Sequence, residues 1–287
     1  MSRHRGVEIK SERELEQMRR AGRVNALALA AAVEAVRPGM TTAQIDRAAA
    51  EVLRQHGAEP AFLGYPGPTP YPAVTTVSVN DELVHGIPGP RRLVEGDIVS
   101  IDCGAIVDGF VGDSAVTVGV GRIDAESQRL IDVTLGALQV GVAAMRVGQR
   151  TGDVSAAIQT FVEGHGFSVT RDYTGHGVGR HMHEDPQVPN YGIAGKGLAL
   201  RAGMTVALEP MVLAGAPETQ VRPDGWTVTS RDGRRTAHFE HTVAVTARGP
   251  RVLTTLDGPL DGGKPGWYNE YFAGRLARPE AEGAGKS

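Results

Sequence analysis

Three of the chain's nine histidines, His176, His181 and His183, fall within eight residues, in the stretch DYTGHGVGRHMHEDPQVPNYG (172–192). So much glycine and proline excludes an ordinary helix, so these imidazoles sit on loop or extended backbone. A neutral imidazole is a metal ligand and an imidazole at neutral pH a proton carrier, yet the cluster alone is equally well read as a solvated loop. Four carboxylates narrow the choice. Asp102 and Asp113 interrupt DIVSIDCGAIVDGFVGDSAVTVGV (97–120), Glu209 ends MTVALE (204–209), and Glu240 opens EHTVAV (240–245). All four interrupt runs that read as buried strands. Ionised carboxylates are costly to bury, and four together repel one another. Separate buried ion pairs would relieve them, but no Lys or Arg recurs beside them. Two divalent cations would neutralise them. With His176 as a neutral nitrogen donor, a set of two Asp, two Glu and one His suits Mn²⁺, Fe²⁺, Co²⁺ or Zn²⁺ better than Ca²⁺ or a thiolate-seeking ion.

The elements that must hold these groups repeat. Asp108-Gly109 between two β-rich runs is a strong hairpin signal. With those two residues as the turn, Gly104 pairs with Asp113 and Ala105 with Gly112. Asp102 then lies on the same face as Asp113, with diagonal Cα neighbours roughly 7–8 Å apart. Further out, PGMTTAQIDRAAAEVLRQHG (38–57) aligns without a gap on VGQRTGDVSAAIQTFVEGHG (147–166). Ile45, Ala48, Ala49 and Val52 are spaced for one helix face, and Val154, Ala157, Ile158 and Phe161 match them. Gly57 and Gly166 read as C-terminal caps. LVEGDIVSID (93–102) lies over LRAGMTVALE (200–209), setting Asp102 over Glu209. DSAVTV (113–118) lies over EHTVAV, setting Asp113 over Glu240, and HGIP (85–88) lies over HGVG (176–179), setting His85 over His176. Each half reads as helix, histidine loop, and two carboxylate-bearing strands. The repeat predicts a pseudo-twofold α+β domain with its site on the axis between the halves.

Composition excludes several alternatives. The chain has 287 residues, 41% of them hydrophobic, with 30 basic and 33 acidic residues. That is enough for one large core or two small ones. The balance gives no support for nucleic-acid binding. No apolar run reaches the roughly 18 residues of a membrane span. MSRHRGVEIKSERELEQMRR is charged from its start, without the apolar centre of a signal peptide, so a cytoplasmic location is expected. The single cysteine, Cys103, allows no internal disulfide and fits a reducing compartment. No pattern gives it a base, so it reads as a small packed residue.

Asp102, Asp113, His176, Glu209 and Glu240, in this order, resemble the dinuclear metal site of the methionine aminopeptidases. YTGHGVGRHMHEDPQVPNY (173–191) is similar along its whole length to the signature of the type I enzymes, and the likeness runs from about Ile9 to Leu256. The resemblance implies the pita-bread fold: α+β, with two pseudo-twofold-related helix and β-hairpin halves around a central antiparallel sheet. It implies one catalytic domain over 1–257 with a short extension at about 1–10, followed by a mobile C-terminal tail at 258–287. Type I is expected because 26 residues separate His183 from Glu209 and 31 separate Glu209 from Glu240, too few for the type II helical insertion. No N-terminal zinc-finger or Pro-rich arm is evident.

The implied activity is removal of the initiator methionine from nascent proteins whose second residue is small. Two divalent cations would hold a bridging hydroxide that attacks the scissile carbonyl. By the same resemblance Glu209 is ligand and proton shuttle, His183 polarises the carbonyl oxygen, and His85 contacts the scissile amide nitrogen. Phe62, Tyr65, Tyr71, Thr76, Met182 and Trp226 would line or border the methionine pocket, and His181 matches no family role. The implied partner is a nascent N-terminus, at the ribosome, met by a monomer. GYPGPTPYP (64–72) is about three residues longer than the usual family loop, and Phe62, Thr76, Thr174 and Met182 depart from the residues usual there. Two alternatives stay open: a prolidase or Xaa-Pro aminopeptidase, which resembles this domain but carries a large N-terminal domain, and a non-catalytic binding protein, which would have lost ligands.

Overall fold

The computed structural model describes residues 6–256, so the expected tail at 258–287 lies outside the described residues. Four helices carry the scaffold: α1 (Glu12–Glu34), α2 (Thr42–Gln55), α3 (Ala125–Ala144) and α4 (Thr151–Gly164). Ser11 opens α1 with a reciprocal capping box to Glu14, and the Asp124 carboxylate accepts from the Ser127 N–H at the start of α3. Helices α2 and α4 have 14 residues each, at the spacing of 109 seen in the sequence repeat. Gly57 (φ 62°) and Gly166 (φ 79°) follow them in the left-handed conformation. Their buried stripes are Ile45, Ala49 and Leu53, and Val154, Ile158 and Val162. The predicted stripe members Ala48, Val52, Ala157 and Phe161 are only half-buried, because each helix is rolled slightly past them. The repeat is also longer than its sequence trace: α1 precedes α2 as α3 precedes α4, and the two pairs pack alike.

Six strands form the middle of a nine-stranded sheet: β1 (Thr75–Val79), β2 (Ile98–Val107), β3 (Phe110–Gly119), β4 (Thr174–Gly177), β5 (Thr205–Leu208) and β6 (Glu240–Thr246). Their pairings are all antiparallel and run β1-β2-β3-β6-β5-β4, so the second half repeats the order of the first about the β3–β6 seam. The β2–β3 hairpin closes as predicted. Val107 pairs with Phe110 around Asp108 (φ 51°) and Gly109 (φ 74°), and Gly104 pairs with Asp113. Two positive φ values define the primed turn whose twist suits a hairpin.

Helix α1 covers the face of β2 and β3 opposite Asp113. There Asn25 receives the Ser114 hydroxyl proton and donates to the Cys103 carbonyl, all three groups being buried. The backbones approach so closely that a Cβ on Gly112 would lie 2.5 Å from Gly22 N and 2.6 Å from Gly22 Cα. Backbone cannot step aside as a side chain can. Gly112→Ala is therefore expected to destabilise the protein by about 1–3 kcal/mol, read as a lower urea midpoint at unchanged m. An unchanged midpoint would contradict the close helix–sheet contact.

Candidate metal centre

Strand register puts the acids on one face. Thr76, Asp102, Ala115 and Glu240 form one row across β1, β2, β3 and β6. Directly opposed residues share a face, as do alternate residues along a strand. Asp113, two residues before Ala115, therefore joins them. A second row, His176, Ala207 and Thr242, crosses β4, β5 and β6. Glu209 stands two residues past Ala207, and Glu240 two before Thr242. The five predicted ligands thus converge, with Ala115 and Ala207 as the small residues between them in the two rows. The Thr242 hydroxyl donates to the Asp113 carbonyl and accepts from the Asp113 N–H, clipping the central seam beside the site.

His176 Nε2 lies 3.4 Å from Glu209 Oε1 and 3.8 Å from Asp113 Oδ2. Its Nδ1 is 2.9 Å from the Gly177 carbonyl, which can only accept. The proton therefore sits on Nδ1, and the Nε2 lone pair faces the carboxylates, as a metal-ligating imidazole requires. Burial pushes His176 down to about 3, which keeps it neutral. Asp102 Oδ1, Asp113 Oδ1 and Glu240 Oε1 are buried without a hydrogen-bond partner. Burial, with repulsion from the neighbouring acids, pushes Asp102, Glu209 and Glu240 well above the carboxylate range, and burial pushes Asp113 up to about 7 against a hydrogen bond with Glu240. Among the described residues, no Lys or Arg forms an ion pair with any of the four. Protons hold this cluster together when cations do not. The orphaned oxygens and the neutral nitrogen donor fit divalent cations, with Asp113, His176 and Glu240 within reach of one ion and Glu209, His238 and Glu240 within reach of another.

The site floors a cavity of about 260 Å³ that is lined by every predicted ligand, both helper histidines and all six predicted pocket residues. His85 holds a left-handed backbone (φ 60°), unusual for a residue with a side chain, after the strand Glu82–Val84. Burial and the nearby His183 push it down to about 4. The His183 ring packs on His176 with centroids 4.3 Å apart, and its Nδ1 lies 2.6 Å from the Tyr65 hydroxyl. The long loop 64–72 is anchored by Trp226, whose Nε1–H donates to the Thr69 carbonyl at 2.9 Å. The Tyr71 ring meets Trp226 edge-on with centroids 5.1 Å apart, while its hydroxyl donates to the carbonyls of Thr75 and Gly86. His181 is exposed and does not line the cavity; its backbone N–H donates to Glu184. Cys103 is buried away from the site, its thiol pushed up chiefly by burial. Sequence reasoning missed Val84, Tyr173, Met211 and His238, which also line the cavity. His238 was legible in part, since it stands two residues before Glu240 and alternation gives both one face.

Residues 16–247 match the sequence pattern of metallopeptidase family M24, and the chain belongs to that family. Within it the relatives are methionine aminopeptidases. One from Clostridium perfringens is 46% identical over 86% of this chain and 98% of its own length. A second, methionine aminopeptidase 1 of Mycobacterium tuberculosis, is 48% identical over 87% and 96%. The solved methionine aminopeptidase of Thermotoga maritima superposes with a TM-score of 0.84 at 46% identity, covering 87% of this chain and 99% of that one. The prolidase of Pyrococcus horikoshii shares the fold alone, with a TM-score of 0.71 at 24% identity over 87% of this chain and 64% of that one.

Removing one acid should relieve repulsion while deleting a ligand. Metal-free Asp113→Asn is expected to melt no lower than the metal-free wild type, and to bind fewer equivalents of Co²⁺ or Mn²⁺ by calorimetric titration. Unchanged stoichiometry and affinity in this variant would remove Asp113 from the ligand set.

Proposed function

We propose that the chain removes N-terminal methionine from polypeptides whose second residue is small, using two divalent cations held by Asp102, Asp113, His176, Glu209 and Glu240. The observation that carries this reading is the convergence of four acids without basic partners and one imidazole with its Nε2 free, on the floor of an aromatic-walled cavity. The relatives' names supply the substrate. When bound, the cations supply Lewis-acid polarisation and an activated water. Their identity is drawn from Mn²⁺, Fe²⁺, Co²⁺ and Zn²⁺, which suit mixed carboxylate and imidazole donors.

The chain's own residues do the rest. The Glu209 carboxylate, at the edge of the cluster, takes the proton of the attacking water and passes it to the leaving amine. His183 stabilises the oxyanion through Nε2–H. For that, Nδ1 must accept, so the Tyr65 hydroxyl donates in their 2.6 Å contact and fixes the tautomer. His85, held neutral by burial, meets the scissile amide nitrogen. Phe62, Tyr65, Tyr71 and Trp226 wall the pocket for an unbranched, polarizable side chain, where each buried methylene contributes about 0.8 kcal/mol. The second residue lies between the ligand floor and the loops of His85 and His183, where bulk would push the scissile bond away from attack geometry. The substrate is a nascent N-terminus in the cytoplasm, met at the ribosome by a monomer. Among the described residues no helix is long and apolar enough to cross a membrane. Only short strands and turns stand between His183 and Glu240, in keeping with type I.

His183→Ala is expected to lower kcat by roughly 10²–10³-fold on Met-Ala-Ser with unchanged cation stoichiometry. A parallel fall in bound metal would make His183 a ligand instead. In a series Met-X-Ser-Lys, kcat/KM should be high for Gly, Ala, Ser, Thr, Cys, Pro and Val and collapse for Leu, Lys and Trp. Met-Leu and Met-Lys peptides cleaved as fast as Met-Ala would defeat the specificity reading. So would preferred removal of N-terminal Leu or Ala, while norleucine in place of methionine probes the first-residue pocket.

A further inference from the structure

His238 stands outside the five-ligand set but not outside the site. It is 2% exposed, ends the strand Thr236–His238, and lines the cavity. Its backbone is fixed against β3: the N–H donates to Thr117 Oγ1, and the carbonyl accepts from the same hydroxyl, each at 2.8 Å. Its Nε2 is buried with no hydrogen-bond partner. That atom lies 3.8 Å from Glu209 Oε2 and 3.8 Å from Glu240 Oε2.

Those spacings are diagnostic. An N–H···O hydrogen bond closes to about 2.7–3.2 Å, so His238 bonds to neither carboxylate. Donors that share one ion, each about 2.0–2.2 Å from it, lie roughly 3–4 Å from one another. His176 meets its own neighbours at 3.4 and 3.8 Å, so the two imidazoles approach the acids at matching distances. A buried nitrogen left unpaired is costly, and a cation between it and the two glutamates removes that cost. A neutral imidazole leaves the balance of four negative charges against two cations undisturbed.

We propose that His238 is a sixth protein ligand of the centre, giving Nε2 to the cation shared by Glu209 and Glu240. The inference rests on the reading that cations occupy this site. Glu209 then faces both imidazoles, its Oε1 toward His176 and its Oε2 toward His238.

The test uses the full chain loaded with Co²⁺ and proton NMR. The N–H of a Co²⁺-ligated imidazole is shifted far outside the diamagnetic range and disappears in D₂O. The wild type should show two such exchangeable signals, one lost in His176→Gln and the other in His238→Gln. By calorimetry His238→Gln should weaken one Co²⁺ site by roughly tenfold or more and leave the other unchanged. The proposal is overturned by a wild-type spectrum whose exchangeable signals all survive in His238→Gln, or by unchanged affinities in that variant. Circular dichroism checks the variant's fold. If the variant does not fold, the wild type decides: two shifted imidazole N–H signals, with only one of them lost in His176→Gln and neither in His183→Gln, support ligation, and any fewer overturn it. A wild type that binds a single Co²⁺ would fail the two-cation reading, while the assignment of its imidazole signals would still decide His238.

Discussion

Three buried carboxylates and a fourth, Glu209, at their edge, none with a Lys or Arg partner among the described residues, constrain everything around them. Such a cluster tolerates no freedom in where its oxygens point, because each oxygen must face a cation or share a proton. The sheet supplies that rigidity. Asp102, Asp113 and Glu240 sit within three adjacent strands, and their row is completed by Ala115. The opposite face must then be sealed, and the small residues of α1 do so, with Gly22 set directly on Gly112. The closeness of helix and sheet on one side and the spacing of the acids on the other are consequences of the same strand pair.

What could be read from the sequence follows from how locally each feature is determined. The β2–β3 register was legible because Asp108-Gly109 fixes it within two residues, and a hairpin then pairs by counting. Helices α2 and α4 were legible because their caps, Gly57 and Gly166, punctuate matching apolar spacings. The α1–α3 correspondence was not. Apart from Asn25, those helices turn mainly small and apolar residues toward the sheet, a demand that AGRVNALALAAAVE and VTLGALQVGVAA meet without sharing a register of identities. The exact buried stripe of α2 and α4 was misjudged for a related reason, since spacing defines a face but the neighbouring elements decide how far the helix is rolled. His238 escaped because its meaning lies in where Nε2 ends relative to Glu209, a residue 29 positions away on another strand.

The aromatic wall is built on the 64–72 loop. Gly67 lies against the Trp226 ring so closely that any Cβ would overlap it, and the Trp226 indole N–H holds the Thr69 carbonyl. The loop is therefore tied down by a tryptophan from the other half of the chain. Tyr71 uses its hydroxyl on two backbone carbonyls and its ring on Trp226, so the pocket wall is hydrogen-bonded from behind and apolar in front. Phe62 and Met182 pack in the same apolar cluster.

Ligands and helpers are held by different means. Four of the five proposed ligands stand on paired strands and Glu209 just past the end of β5, whereas His85 and His183 stand on loops, so each loop needs its own fastening. At His85 it is a left-handed backbone beside Gly86, whose missing Cβ lets the chain lie against the backbone of Val77 and Ser78. At His183 it is the next residue, Glu184, buried at 1% exposure, which accepts from the Lys10 ammonium and the His181 N–H. Gly179 leaves the space that Lys10 occupies. A buried pair of this kind recovers little net stability after desolvation, and its use is to fix geometry. The segment ahead of α1, which reads as a short extension in the sequence, thus reaches across 174 residues to brace the loop of His183. Neither Lys10 nor Glu184 lines the cavity, so the loop is held without a positive charge among the carboxylates that floor it.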